Sequence, residues 1–272
     1  MRTLERRDEK IRKLTSSLQE ANLAVKAAEK RASATLPPAR PAPEEKRPQA
    51  SRLGPREMNM LLKRLKACRS PEEDLLFACF IDEVPKLEGL PDDAMTLAQA
   101  ARSRRGVIIL RAPQLFCMLL VPPFPVHESL FQESGSFKLD SFVEMMETPV
   151  LVLSLHAGDS FLGVALSHAG FEVAEHVESP VKEKHSKGGW SQKRFERLRE
   201  EDIKSHVDAV LQVLALMKSK YGPLVKYAVL GGDDGLIKQI APSVGLPVVL
   251  RHLEKEPEKL LDEVYSFTCY RT

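Results

Sequence analysis

Pro149-Val-Leu-Val-Leu-Ser-Leu155, Ser160-Phe-Leu-Gly-Val-Ala-Leu-Ser167 and Phe171-Glu-Val-Ala-Glu-His-Val177 are three β runs in close succession. Ala157-Gly-Asp and His168-Ala-Gly between them are turn signals, so the stretch reads as an antiparallel meander. After it the apolar period changes. A long helix is expected from about Gln192 to Lys220, because Ile203, Val207, Val210, Leu211 and Leu214 form one stripe. Tyr221-Gly-Pro stops it. Strand Val225–Leu230, the loop Gly231-Gly-Asp-Asp-Gly, helix Leu236–Ala241 and strand Pro247–Leu250 follow, and Pro257–Tyr265 is again helical. The fold class is α/β (α+β), a mixed sheet packed by one long helix.

Upstream, residues 57–148 read as a small α/β domain. Met58, Leu61, Leu62 and Leu65 mark a helix, and Ala94–Arg102 a second. Gly106-Val-Ile-Ile-Leu and Leu115-Phe-Cys-Met-Leu-Leu-Val are strands joined at Ala112-Pro-Gln. Pro122-Pro-Phe-Pro ends that sheet, since proline cannot donate to a ladder. Phe137–Met146 reads as a short helix. Residues 35–56 are a linker, with five prolines between Thr35 and Pro48. Residues 1–34 read as a coiled-coil helix. Leu4, Ile11, Leu18, Val25 and Ala32 recur every seven residues, and Arg7, Leu14, Ala21 and Ala28 fill the other seam position. Alanines make that seam weak. It would bind a coiled-coil partner or self-associate through residues 4–32, or stand solvated. The expected domains are thus 1–34, 35–56, 57–148 and 149–272.

Hydrophobic residues are 43% of the chain, as for a soluble globular body. No apolar run approaches the roughly 20 residues of a membrane span, so no membrane partner is expected. The charged start, Met1-Arg-Thr-Leu-Glu-Arg-Arg, lacks a signal core, and the expected location is cytoplasmic. Cys68, Cys79, Cys117 and Cys269 match no common zinc spacing and read as reduced thiols. No metal and no cofactor is expected.

Net charge is only +2, but its distribution is uneven. Residues 1–56 hold 14 Lys/Arg and 7 Asp/Glu, and the remaining 216 hold 26 and 31. Within that acidic remainder lies Lys182, Lys184, His185, Lys187, Gly188, Gly189, Trp190, Ser191, Gln192, Lys193, Arg194, Arg197 and Arg199, interrupted by Glu183 and Glu196 as the only carboxylates. A basic island on an acidic body favours an oriented encounter with a polyphosphate. The glycine pair lets a ligand approach bare backbone.

This string resembles the central domain of the class I peptide-chain release factors of archaea and eukaryotes, and in particular their stop-codon-independent relatives, the Vms-type release factors of ribosome-associated quality control. Stop-reading factors carry a Gly-Gly-Gln loop with basic residues before it and an Arg-Phe-x-Arg helix after it. Here the text is Lys184-His-Ser-Lys-Gly-Gly-Trp-Ser, then Arg194-Phe-Glu-Arg-Leu-Arg. Trp190 takes the slot of the glutamine, and Gln192 lies two positions beyond. Vms-type proteins also place theirs slightly past the glycines. Gly106-Val-Ile-Ile-Leu, Pro122-Pro-Phe-Pro and Phe137-Lys-Leu-Asp-Ser-Phe resemble the exit of a release factor's first domain, giving coverage of roughly 105–250. No Asn-Ile-Lys-Ser stop-codon motif is present.

The resemblance implies a release-factor central-domain fold and peptidyl-tRNA hydrolysis on the large ribosomal subunit, with ribosomal RNA as partner. Gln192 would orient water at the ester, and Gly188 and Gly189 would let the backbone reach the terminal adenosine. Positioning alone is worth up to about 7–11 kcal/mol, and an uncharged amide needs no unusual pKa. Lys182, Lys184, Lys187, Lys193, Arg194, Arg197 and Arg199 would neutralise phosphates. His185 would contact phosphate or stand solvated rather than act as a base. Ser191 would cap the helix. Trp190 would stack on a base, or anchor the loop. The plain alternatives are a solvated glutamine at a helix start, Arg197 and Arg199 bridging to Glu200 and Glu201, and Phe195 and Leu198 as core. Two rival functions stay open: endonucleolytic cleavage of the tRNA CCA end, and a non-catalytic ribosome-binding adaptor. Gly231–Gly235 reads as a structural strand–helix turn. A metal-dependent nuclease site at Asp159, Asp233 and Asp234 is the weaker option, and His156, His168 and His176 lack ligand spacing.

Overall fold

A computed structural model describes residues 17–18, 50–81, 90–101, 103–181 and 192–271, with only the backbone of Gln192 and Lys193. The chain divides into Met1–Arg47 and Pro48–Thr272. Of the expected coiled coil only Ser17 and Leu18, both helical, are described; the rest of it lies outside the described residues, as does most of the linker.

Two sheets organise Pro48–Thr272. The first runs β1 (Ala50–Leu53), β11 (Phe267–Arg271), β4 (Phe116–Val121), β3 (Val107–Ala112), β2 (Leu75–Phe80) and β5 (Leu130–Ser134) in spatial order, all antiparallel. Its inner strands are continuous apolar runs because helices cover both faces. Helices α1 (Pro55–Ala67) and α3 (Asp140–Met146) enclose Phe77, Ile108, Leu110, Leu120 and Phe267 on one face. Helix α2 (Asp92–Ala100) lays Ala94, Leu97 and Ala98 on Leu76, Ile109 and Leu119 on the other.

The second sheet runs β10 (Val248–Leu250), β9 (Tyr227–Gly232), β6 (Val150–Leu155), β7 (Asp159–Ser167) and β8 (Gly170–Glu178). The expected meander is β6–β7–β8, and β9 and β10 add in parallel at the side of β6. Alternation assigns the faces. Leu151, Leu153, Leu155, Ala228 and Leu230 meet helices α4 (Gln192–Tyr221) and α5 (Asp234–Val244). Val150, Val152, Tyr227 and Val229 meet Phe124 and helix α6 (Pro257–Val264). Each fully buried Leu or Val among them contributes about 1.5–3 kcal/mol.

Aromatic packing joins the sheets. Phe124, just past β4, stacks on Tyr227 with ring centroids 5.2 Å apart. Buried Tyr265 donates to the Thr148 carbonyl at 2.7 Å. Four strands go beyond the sequence reading. β2 and β5 were not expected, β1 lies inside the stretch read as linker, and β11 carries the far end of the 149–272 segment into the first sheet.

Candidate functional site

The basic string begins where β8 ends and runs into α4. Lys182, Lys184, His185, Lys187, Gly188, Gly189, Trp190 and Ser191 lie outside the described residues, as do the side chains of Gln192 and Lys193. The two roots of the string are described, and they are built differently.

The carboxyl root is the start of α4. Its backbone is helical from Gln192, as the periodicity predicts. None of residues 194–205 is buried, and burial begins with His206 and Val207. Ile203, partly buried, already packs against the sheet's core, so at 1.5 Å per residue Gln192 stands about 16 Å along the axis from the first contact with it. Arg194 and Arg197 are exposed on this projecting stretch, and Arg199 is half-buried. Phe195 is 44% exposed and is not core, contrary to the expectation, and Leu198 is half-buried. Arg197 pairs with Glu201 at 3.1 Å, the bridge foreseen as the plain alternative. As a surface i,i+4 pair it is worth about 0.3–0.5 kcal/mol and leaves the Arg197 side chain 82% exposed, open to a further anion.

The amino root is clasped. The Ser179 N–H donates to the Gly158 carbonyl at 2.9 Å. Gly158 has φ +84, and a Cβ there would meet the Ser179 carbonyl at 2.9 Å, so this turn admits glycine alone without strain. His206, fully buried on α4, places one ring nitrogen 2.9 Å from Ser160 Oγ and the other 2.9 Å from Ser179 Oγ. Ser160 Oγ already donates to the His156 carbonyl at 3.2 Å. Nε2 of His206 must then be the donor to Ser160, and Nδ1 the acceptor from Ser179. Burial holds the His206 pKa below its ordinary value, opposed by the His156 carbonyl and Asp159. One neutral imidazole thus ties helix α4, the start of β7 and the exit of β8 together.

Beside the clasp is the carboxyl end of β6 and β9. Gly232 has φ +107, and its absent Cβ would lie 2.0 Å from the Leu155 carbonyl. Asp233 follows, and its carboxylate accepts the Ala157 N–H at 2.9 Å. The Gly231–Gly235 segment is the structural strand–helix turn read from sequence. Asp159 sits 3.7 Å from Lys255. No group of three His, Cys, Asp or Glu among the described residues could hold a metal. The pKa of His156 is lowered by burial and then by Lys255, against Asp233 and Asp159. Its Nε2 is buried with no hydrogen-bond partner among the described residues. His168 bonds the Met146 carbonyl through Nδ1 at 3.1 Å, and His176 packs edge-on against Phe161. None of the four cysteines is in a disulfide, and burial pushes Cys117 up to about 12. A cavity of about 370 Å³ opens away from the clasp, between the sheets, where Phe77, Ile108, Met145 and Tyr227 line it. Of the expected site residues that are described, Arg194, Arg197 and Arg199, none lines it. Among the described residues no helix is long and apolar enough to cross a membrane.

Residues 148–266 match the family model of the Actinobacteria/chloroflexi VLRF1 release factor. The matched segment runs from just before β6 to just before β11 and contains the basic string. No curated protein matches the sequence. Among solved structures, the archaeal translation termination factor aRF1 aligns at TM-score 0.30 and 16% identity, over 78% of this chain and 70% of that one. A second structure, described as an archaeal protein, aligns at 0.27 and 15%, over 76% and 71%. A model of ribosome-bound archaeal Pelota and ABCE1 aligns at 0.28 and 10%, over 81% and 67%.

Proposed function

We propose that this chain is a ribosome-associated peptidyl-tRNA hydrolase that frees stalled nascent chains from the large subunit without reading a stop codon. One observation carries the reading: the release-factor match spans the whole basic Gly188-Gly189-Trp190-Ser191-Gln192 string together with both of its roots. The projecting start of α4 supports it, because a reacting group about 16 Å along the helix from its first contact with the core can enter a narrow RNA-walled cavity while the body stays outside.

In this reading the 149–272 segment is the catalytic unit. Gln192 orients a water against the ester carbonyl at the tRNA 3′ end. Gly188 and Gly189 bring the backbone against the terminal adenosine, where any side chain would obstruct it. Trp190 stacks on a base or ribose, a contact of about 1–3 kcal/mol. Ser191 caps α4. Lys182, Lys184, His185, Lys187, Lys193, Arg194, Arg197 and Arg199 neutralise phosphates of tRNA and ribosomal RNA. Catalysis is by placement, so neither metal nor cofactor takes part. The protein works in the cytoplasm, and residues 4–32 offer a helix for a partner or a second copy.

The test uses purified large subunits carrying peptidyl-tRNA, with Gln192→Ala and a Gly189 substitution beside the parent chain. Released peptide and the tRNA 3′ end are both read. Loss of release in both variants, with an intact CCA end from the parent, is the expected result. Release unchanged in both rejects the reading. A shortened tRNA end assigns cleavage of the nucleic acid instead, and binding without turnover assigns an adaptor.

A further inference from the structure

We propose that the solvent face of α1 is a second RNA-docking surface, separate from the basic string, that reads phosphodiester backbone without base specificity. Residues 56–69 carry Arg56, Lys63, Arg64, Lys66 and Arg69 against a single carboxylate, Glu57. All five cations are exposed. Met58, Leu62 and Leu65 face the core, so at about 100° per residue Lys66, Lys63, Arg56, Met60 and Arg64 fall in that order on an opposite arc of about 160°. Met60, 57% exposed, and the small Ala67 are the apolar side chains within it, and Asn59, half-buried, lies between Lys66 and Lys63. No ion pair joins Arg56, Lys63, Arg64 or Lys66 to a carboxylate among the described residues.

Helix stability explains only part of this row. Arg64 and Lys66 lie in the last turn, where the helix dipole favours cations. Arg69 donates to the Lys66 and Cys68 carbonyls at 2.7 Å each, capping the same end. Arg56 lies in the first turn, where the dipole disfavours it, and Lys63 is outside both ends. A contiguous cationic arc on a chain that is otherwise acidic beyond residue 56 suits a polyanion. Phosphodiester backbone matches it, because a row of unpaired Lys and Arg heads engages successive phosphates without a shaped pocket.

The experiment measures binding of the full chain to a fluorescein-labelled polyuridylate of about 20 nucleotides across a salt series. In the variant Arg56→Gln/Lys63→Gln/Arg64→Gln/Lys66→Gln the slope of log K against log salt should fall by about 2–3, and affinity at low salt by at least about tenfold. Glutamine keeps helix propensity, and a melting curve checks the fold. Should the quadruple variant unfold, Lys63→Gln/Lys66→Gln should lose about half of that slope. An unchanged slope in a folded variant overturns the inference. So does a loss seen with polyglutamate and not with RNA, which would assign the face to an acidic protein. A companion variant, Lys182→Gln/Lys184→Gln/Lys187→Gln, separates the two surfaces. If it alone abolishes all salt dependence, the α1 face binds nothing, and the release reading still stands on its own assay.

Discussion

His206→Ala removes the ring that ties α4 to the exit of β8. The ring is fully buried and makes two hydrogen bonds at 2.9 Å. Each bond contributes about 0.5–1.5 kcal/mol, and deleting the ring leaves a cavity costing roughly 2 kcal/mol more. The sum is about 3–5 kcal/mol. For a unit the size of Pro48–Thr272, that shifts the melting temperature down by roughly 6–20 °C. The damage should be local as well as global. Without the imidazole, Ser179 keeps among the described residues its backbone bond to Gly158, so trypsin should cut faster after Lys182, Lys184 and Lys187. Circular-dichroism melting and timed proteolysis at one temperature well below both transitions measure the two effects. A variant that melts within about 1 °C of the parent and is cut at the parent's rate would refute the clasp.

Acid should weaken the fold through the same corner. Burial lowers the pKa of both His156 and His206 from 6.5, so the unfolded chain takes up protons that the folded chain refuses. Stability is then full above 6.5 and declines as pH falls below it, until the folded-state pKa values are reached. Melting temperatures between about pH 8 and pH 5 should show that decline, and His206→Ala should flatten it; a flat profile in the parent contradicts the assignment. Gly232→Ala must push β9 from β6, because its Cβ would lie 2.0 Å from the Leu155 carbonyl at φ +107. We expect a loss of at least about 3 kcal/mol, read as collapsed soluble yield or a drop of more than roughly 6 °C, and an unaltered melt would show that the strands can yield there.

Elements with a strong period were legible in the sequence. The meander, α4 and the β9–α5–β10 tail declare themselves by alternation, by one apolar stripe and by turn glycines. Those that depend on distant pairing did not. β1 follows a proline-rich stretch and is a strand only because Leu53 meets Phe267 and Ala50 meets Tyr270. β5, Leu-Phe-Gln-Glu-Ser, lies at a sheet edge with little burial to enforce alternation. β2 is a six-residue apolar run, ambiguous between strand and helix until its neighbours are known. At the site, the basic string was visible as composition, and its clasp was not. A signal for His206 existed. It stands three residues after Ile203 and four before Val210, on the apolar stripe of α4, where a polar side chain needs partners. Nothing local revealed that those partners would be Ser160 and Ser179.

The place of β11 has a consequence for biosynthesis. It fills the slot between β1 and β4, pairing Leu53 with Phe267 and Val121 with Thr268. Until residues 267–271 have emerged from the translating ribosome, the first sheet has an unfilled gap and two bare edges. The earlier half of this chain is thus hostage to its last strand during its own synthesis. A nascent polypeptide halted before Phe267 would expose β4 as an adhesive template, itself a candidate for disposal.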